Sequence, residues 1–142
     1  MKKLVLVCLL IGSSMVQAQE WKKDLDKALS QAGNENKLVL LFFSVPEACD
    51  ICMELDKSVF ASEEFKAYAR ENFILAKPDF SESATFETKA DNLLIVEKYN
   101  KDGFFPLVVI LDKNSRVLGK VGIYNGETPQ QYILSLQSIA KR

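Results

Sequence analysis

The stretch Lys37–Leu55, KLVLLFFSVPEACDICMEL, constrains the fold more than any other part of the chain. Its run from Lys37 to Phe43 has no polar alternation, which is what a strand buried on both faces of a parallel sheet requires. Pro46 has no N–H to give a central strand, so the strand ends before it and a helix opens at the cysteines. Cys49 and Cys52 then stand three residues apart at the mouth of that helix, on one face.

That placement has chemical consequences. A thiolate is the species that attacks a disulfide, and the free N–H groups of a first helical turn favour its charge. Cys49 is therefore the expected nucleophile. Cys52, one turn deeper, is the expected resolving cysteine, closing a disulfide with Cys49 to release a bound partner. A static staple explains the pair less well, because so short a loop restrains little of the unfolded chain. The chain has no histidine. This removes the Ser-His and Cys-His hydrolase arrangements and leaves a zinc site nothing but carboxylates to recruit beside the cysteines. No metal or organic cofactor is called for.

The first residues supply the compartment. Lys2 and Lys3, the apolar run Leu4–Ile11 and the small-residue pattern Val16-Gln17-Ala18 have the order of a secretory signal peptide, residues 1–18. At roughly ten apolar residues the run is short of the ~20 that span a bilayer. Cys8 lies inside the run behind Val7, which argues against a lipid anchor. Cleavage after Ala18 leaves one domain, 19–142, exported to an oxidising space where a cysteine pair has work to do. It also removes two of the 18 basic residues and none of the 19 acidic ones, taking the net charge from −1 to −3. No basic surface for nucleic acid is implied.

Along the rest of the chain, Trp21, Leu25, Ala28, Leu29 and Ala32 recur at helical spacing and predict a helix from Glu20 to Ala32, ended by Gly33, with Trp21 in a packing role. Val59 and Phe60 mark a break before Ser62, which with Glu63 and Glu64 starts the next helix. Phe73 to Lys77 then reads as a short strand closed by Pro78. Residues 79–91 are polar enough for a surface loop, with Phe80 and Phe86 as its apolar anchors. A helix through Leu93–Tyr99, a hairpin of Leu107–Leu111 with Arg116–Val121, and a last helix opened by Thr128, Pro129 and Gln131 complete the order.

This order, with four local matches, resembles the thioredoxin family, in particular secreted thioredoxin-like proteins related to thiol:disulfide interchange domains. The matches are the strand leading into Cys49-Asp50-Ile51-Cys52, Val59-Phe60 with Glu64-Phe65, Gly103-Phe104-Phe105-Pro106, and Lys120-Val121-Gly122. The resemblance implies an α/β thioredoxin fold: a central mixed sheet, βαβ then ββα, flanked by helices and preceded by an N-terminal helix. It also implies a cis bond before Pro106, facing the cysteines and leaving the Phe105 backbone free for a partner strand. The chain departs from the family at Ala48, where Trp is usual. It departs again at Asp50-Ile51 between the cysteines, and at Phe43, where counting back from Cys49 reaches the position of a buried acid. Lys77 falls where the family has a lysine near that acid, and Glu47 or a water is left to move the proton of Cys52.

The reading is an extracytoplasmic thiol:disulfide oxidoreductase, a reductant or isomerase-like carrier, with Cys49 and Cys52 catalytic. Ile51, Phe104, Phe105 and Pro106 would form its partner-binding rim. Its expected partners are disulfide-containing proteins and a membrane electron-transfer protein that keeps it reduced, with the chain itself a monomer. The alternative is a thioredoxin-fold peptide-binding module, using the groove beside Val45, Ile51, Phe105 and Pro106, whose cysteines do not turn over. Thiol peroxidase chemistry is disfavoured, since nothing beside Cys49 supplies the Arg and hydroxyl donors that polarise a peroxide.

Overall fold

The computed structural model describes residues 19–141; the expected signal segment with Cys8, and Arg142, lie outside them. The first helix, α1, spans Leu25–Glu35 rather than beginning at Glu20. Asp24 caps it by accepting from the Lys27 amide, and Asn36 ends it in the left-handed conformation, so Gly33 is an interior residue. Ahead of α1 the chain is extended. Lys22 pairs in parallel with Ala76, its amide donating to Leu75 and its carbonyl accepting from Lys77. Trp21 therefore packs as part of that edge segment and not on a helical stripe. Its spacing of four from Leu25 imitates helical periodicity, but the capping side chain of Asp24 decides where the helix starts.

Strand β1 (Leu38–Phe43) leads to α2 (Asp50–Leu55), which continues as a π-helical turn, Asp56–Phe60, where a break was expected. Ser62 caps α3 (Glu63–Asn72) through the Phe65 amide, and β2 (Phe73–Ala76) follows at once. Helix α4 spans Phe86–Tyr99, capped by Thr85 accepting from Thr88, so the expected 79–91 loop is shorter and its second half is helical. Strands β3 (Leu107–Leu111) and β4 (Val117–Lys120) form the hairpin. Helix α5 (Pro129–Ala140) opens on a complete Thr128–Gln131 capping box.

The sheet order is β2-β1-β3-β4, with β1 parallel to β2 and antiparallel to β3. Alternation along β1 explains why its sequence is apolar throughout. Leu40 and Phe42 enter a layer with Leu55, Phe60, Phe65, Tyr132 and Leu136, so α2, the π turn, α3 and α5 share that face. Val39, Leu41 and Phe43 enter the opposite layer with Leu25, Ala28, Ala32 and Tyr99, from α1 and α4. Phe60 is the hub of the first layer. Its ring lies 5.3 Å from Trp21, 4.9 Å from Phe42, 4.7 Å from Phe65 and 5.7 Å from Tyr132. Burial in this layer also pushes the Tyr132 phenol far above its ordinary pKa.

The pairing register decides what shares one end of the sheet. Phe43, the last residue of β1, faces Leu107, the first of β3, and β2 runs parallel to β1. The loops after β1, after β2 and before β3 therefore emerge together.

Candidate active site

The loop after β1 turns at Pro46–Ala48, where the Ala48 amide donates to the Val45 carbonyl at 3.1 Å. It delivers Cys49 in extended conformation as the N-cap of α2. Cys49 Sγ accepts from the Cys52 amide at 3.1 Å, and the Cys49 carbonyl accepts from Met53. Sulfur thus occupies the place of the Ser or Asp oxygen that usually satisfies a first-turn N–H. The two cysteines are joined in a disulfide, with Cα atoms 5.2 Å apart. Cys49 is half-buried, whereas Cys52 is 0 % exposed. Ile51 between them is 47 % exposed, and Glu47, Asp50 and Glu54 are exposed as well.

The segment before β3 reaches the same end of the sheet. The Phe105–Pro106 bond is cis, as the resemblance implies. Phe104 is 59 % exposed, while Phe105 and Pro106 are half-buried. The ring of Phe105 stands edge-on to Phe43 at 6.2 Å and to Phe80 at 5.5 Å, and Phe80 meets Phe43 at 5.9 Å. Phe43, at the position counted for an acid, is fully buried in this aromatic trio, so the underside of the site on that layer is apolar.

Lys77, which the resemblance sets near the acid position occupied here by Phe43, has a carboxylate partner of its own. Its ammonium bonds Asp56 at 3.0 Å and lies over the Trp21 ring at 5.2 Å and the Phe42 ring at 5.7 Å. Asp56 is one helical turn beyond Cys52, and its amide donates to the Cys52 carbonyl. Glu47 is exposed at the turn.

Two residues of this region were not singled out by sequence reasoning. Phe80 was read only as a loop anchor, yet it supports Phe105. Phe86, its supposed companion, is 86 % exposed and anchors nothing. Asn100, directly after α4, is buried and hydrogen-bonded to Phe104. A polar residue between a helix end and a glycine turn carries no signal of that role. The loop bearing Phe80 is held by Asp79. Contacts from the Ser81 side chain, Lys23 and the Ser81 amide lower its carboxyl to a pKa of about 2.

The fold and the paired cysteines at a helix start define a thioredoxin-like protein. The thioredoxin-like family matches residues 20–113, and the chain belongs to it. Among individual relatives, it is 26% identical over 102 residues to the disulfide bond reductase DsbH of Chlamydia pneumoniae, covering 70% of this chain and 61% of that one. The chain thus spans about three fifths of that relative's length. Its fold is similar to a solved DsbH oxidoreductase (TM-score 0.77, 23% identity, covering 86% of this chain and 84% of the other). It is also similar to a thioredoxin from Thermus thermophilus (TM-score 0.63, 17% identity, 86% and 87% covered).

Proposed function

We propose that this chain is an extracytoplasmic thiol:disulfide oxidoreductase that works as a reductant of protein disulfides. The observation that carries the reading is the asymmetry of the pair. Cys49 is reachable and its sulfur accepts the Cys52 N–H at 3.1 Å, while Cys52 is enclosed. That N–H favours the thiolate over the thiol at Cys49. Cys49 attacks one sulfur of a partner disulfide and expels the other as a thiolate, leaving a mixed disulfide. Cys52, deprotonated, then attacks Cys49 Sγ and expels the partner's first sulfur, so two electrons pass to the partner and the Cys49–Cys52 disulfide remains. An external dithiol donor, for which a membrane electron-transfer protein is suited, restores the reduced pair. The reductase name of the Chlamydia pneumoniae relative supports this direction.

Partner contacts are assigned to Ile51, Phe104, Phe105 and Pro106. Ile51, exposed between the cysteines, and Phe104, exposed on the segment that reaches the same end of the sheet, would offer apolar surface to a partner whose strand pairs with the Phe105 backbone. Export rests on the signal-like residues 1–18, and the mature N-terminus of protein recovered from the producing cell tests it.

Trapping tests the reaction. Cys52→Ser in the producing cell should accumulate partners bound through Cys49, released by dithiothreitol, and the wild-type protein should reduce insulin disulfides catalytically. A protein that binds peptides at this rim without redox turnover would instead be the binding module considered above.

A further inference from the structure

Asn100 is 1 % exposed, and each of its polar groups is used within one short loop. Its amide donates to the Val96 carbonyl at 2.7 Å, ending α4, and its carbonyl accepts from Gly103 at 2.9 Å. Gly103 takes φ +68°, a left-handed conformation that glycine adopts without a Cβ clash. The Asn100 side chain then holds the next residue on both sides. Nδ2 donates to the Phe104 carbonyl at 2.8 Å, and Oδ1 accepts from the Phe104 amide at 3.0 Å. A carboxamide meeting a backbone residue through both its groups imitates a neighbouring strand.

We propose that Asn100 is a positioning residue for partner binding, fixing the backbone of Phe104 so that Phe105 presents its N–H and carbonyl beside the disulfide. With Phe104 occupied from within and Leu107 paired to Phe43, neither Phe105 group makes a hydrogen bond among the described residues. Pro106 has no N–H to offer. The Phe105 ring is fixed as well, between Phe43 and Phe80. An extended partner chain meets a preset pairing site there and does not bear the cost of ordering the loop.

This inference rests on the oxidoreductase reading, and the test separates the two. Steady-state reduction of insulin is measured for the wild type and for Asn100→Ala, with backbone amide exchange read on both. The alanine variant should raise KM about tenfold and change kcat less than about twofold. The Phe104 amide should lose protection while Leu40 and Ile110, in the sheet, keep theirs. Should Asn100→Ala not fold, Asn100→Asp serves. It keeps the acceptor for the Phe104 amide, sets a carboxylate oxygen against the Phe104 carbonyl, and should raise KM about threefold or more. A wild-type protein without turnover overturns the oxidoreductase reading and this inference with it. Turnover in the wild type with KM unchanged in a folded variant overturns this inference alone. So does a fall in kcat accompanied by loss of protection across the whole sheet, which is the mark of a merely structural asparagine.

Discussion

At the residue scale the proposed chemistry depends on two sulfurs that differ in access rather than in kind. The Cys52 amide points at Cys49 Sγ, and Cys52 is fully buried where Cys49 is not. Mass-mapped alkylation of the reduced protein with limiting iodoacetamide should therefore label Cys49 at least about tenfold faster than Cys52, since reactivity follows thiolate character and exposure. Preferential labelling of Cys52 would exchange their roles. The pair and its order were legible because Pro46, the apolar run and a spacing of three each have one structural meaning. Phe43 was legible in part. Counting back from Cys49 showed an aromatic where an acid was expected, but its partners Phe80 and Phe105 lie 37 and 62 positions away. Pattern reasoning reaches across a helical turn or a hairpin and not across such separations. Asn100 was illegible for another reason: a buried asparagine is distinguishable from an exposed one only by what encloses it.

At the scale of elements, the misplaced boundaries have a common cause. Helix starts here are set by one capping oxygen, Asp24 for α1 and Thr85 for α4, whereas apolar spacing decided the reading of the first segment and polar composition that of the second. Thr85 followed by Phe-Glu-Thr-Lys-Ala was the available signal for α4, hidden by the polarity of residues 79–91. What remains loop, residues 77–85, is tied down by Asp79, and this makes its stability depend on pH. The folded carboxyl has its pKa at about 2, below the unfolded value of ~3.9. A depressed folded pKa contributes stability in full above the unfolded value and loses it as pH falls through the folded one. Asp79→Asn should accordingly lower Tm at pH 7, and the gap from wild type should close between about pH 4 and pH 2. A gap that stays constant over that range would mean that the Asp79 charge does not hold the loop. The π turn makes a larger contribution through Phe60. Phe60→Ala removes a ring shared by four aromatic neighbours, and urea unfolding should show a loss of about 3–5 kcal/mol. A loss below about 1 kcal/mol would indicate that the layer collapses around the gap.

For the molecule as a whole, the sheet brings the Cys49–Cys52 pair to an end whose exposed carboxylates oppose anion formation. Glu47, Asp50 and Glu54 are exposed around the cysteines and form no salt bridge among the described residues. Lys77 is committed to Asp56 and to the Trp21 and Phe42 rings. Against these carboxylates stands the N–H of Cys52 at 3.1 Å. A strong oxidant needs the reverse balance, because its reduced form must be held by a very stable thiolate. The potential of the Cys49–Cys52 couple should therefore lie nearer the ~−270 mV of thioredoxin than the ~−120 mV of an oxidase-type protein. Equilibration with glutathione buffers measures it, and a value above about −150 mV would overturn the assignment as a reductant. The same electrostatics predict the sign of a substitution. Asp50→Lys replaces a repulsive neighbour of the Cys49 thiolate with an attractive one, so it stabilises the dithiol form and raises the potential. Because Asp50 is exposed, the effect is that of a surface charge, about 10–20 mV, and should shrink as ionic strength rises. An unchanged or lowered potential in Asp50→Lys at low salt would show that the carboxylates around Cys49 do not set its redox direction.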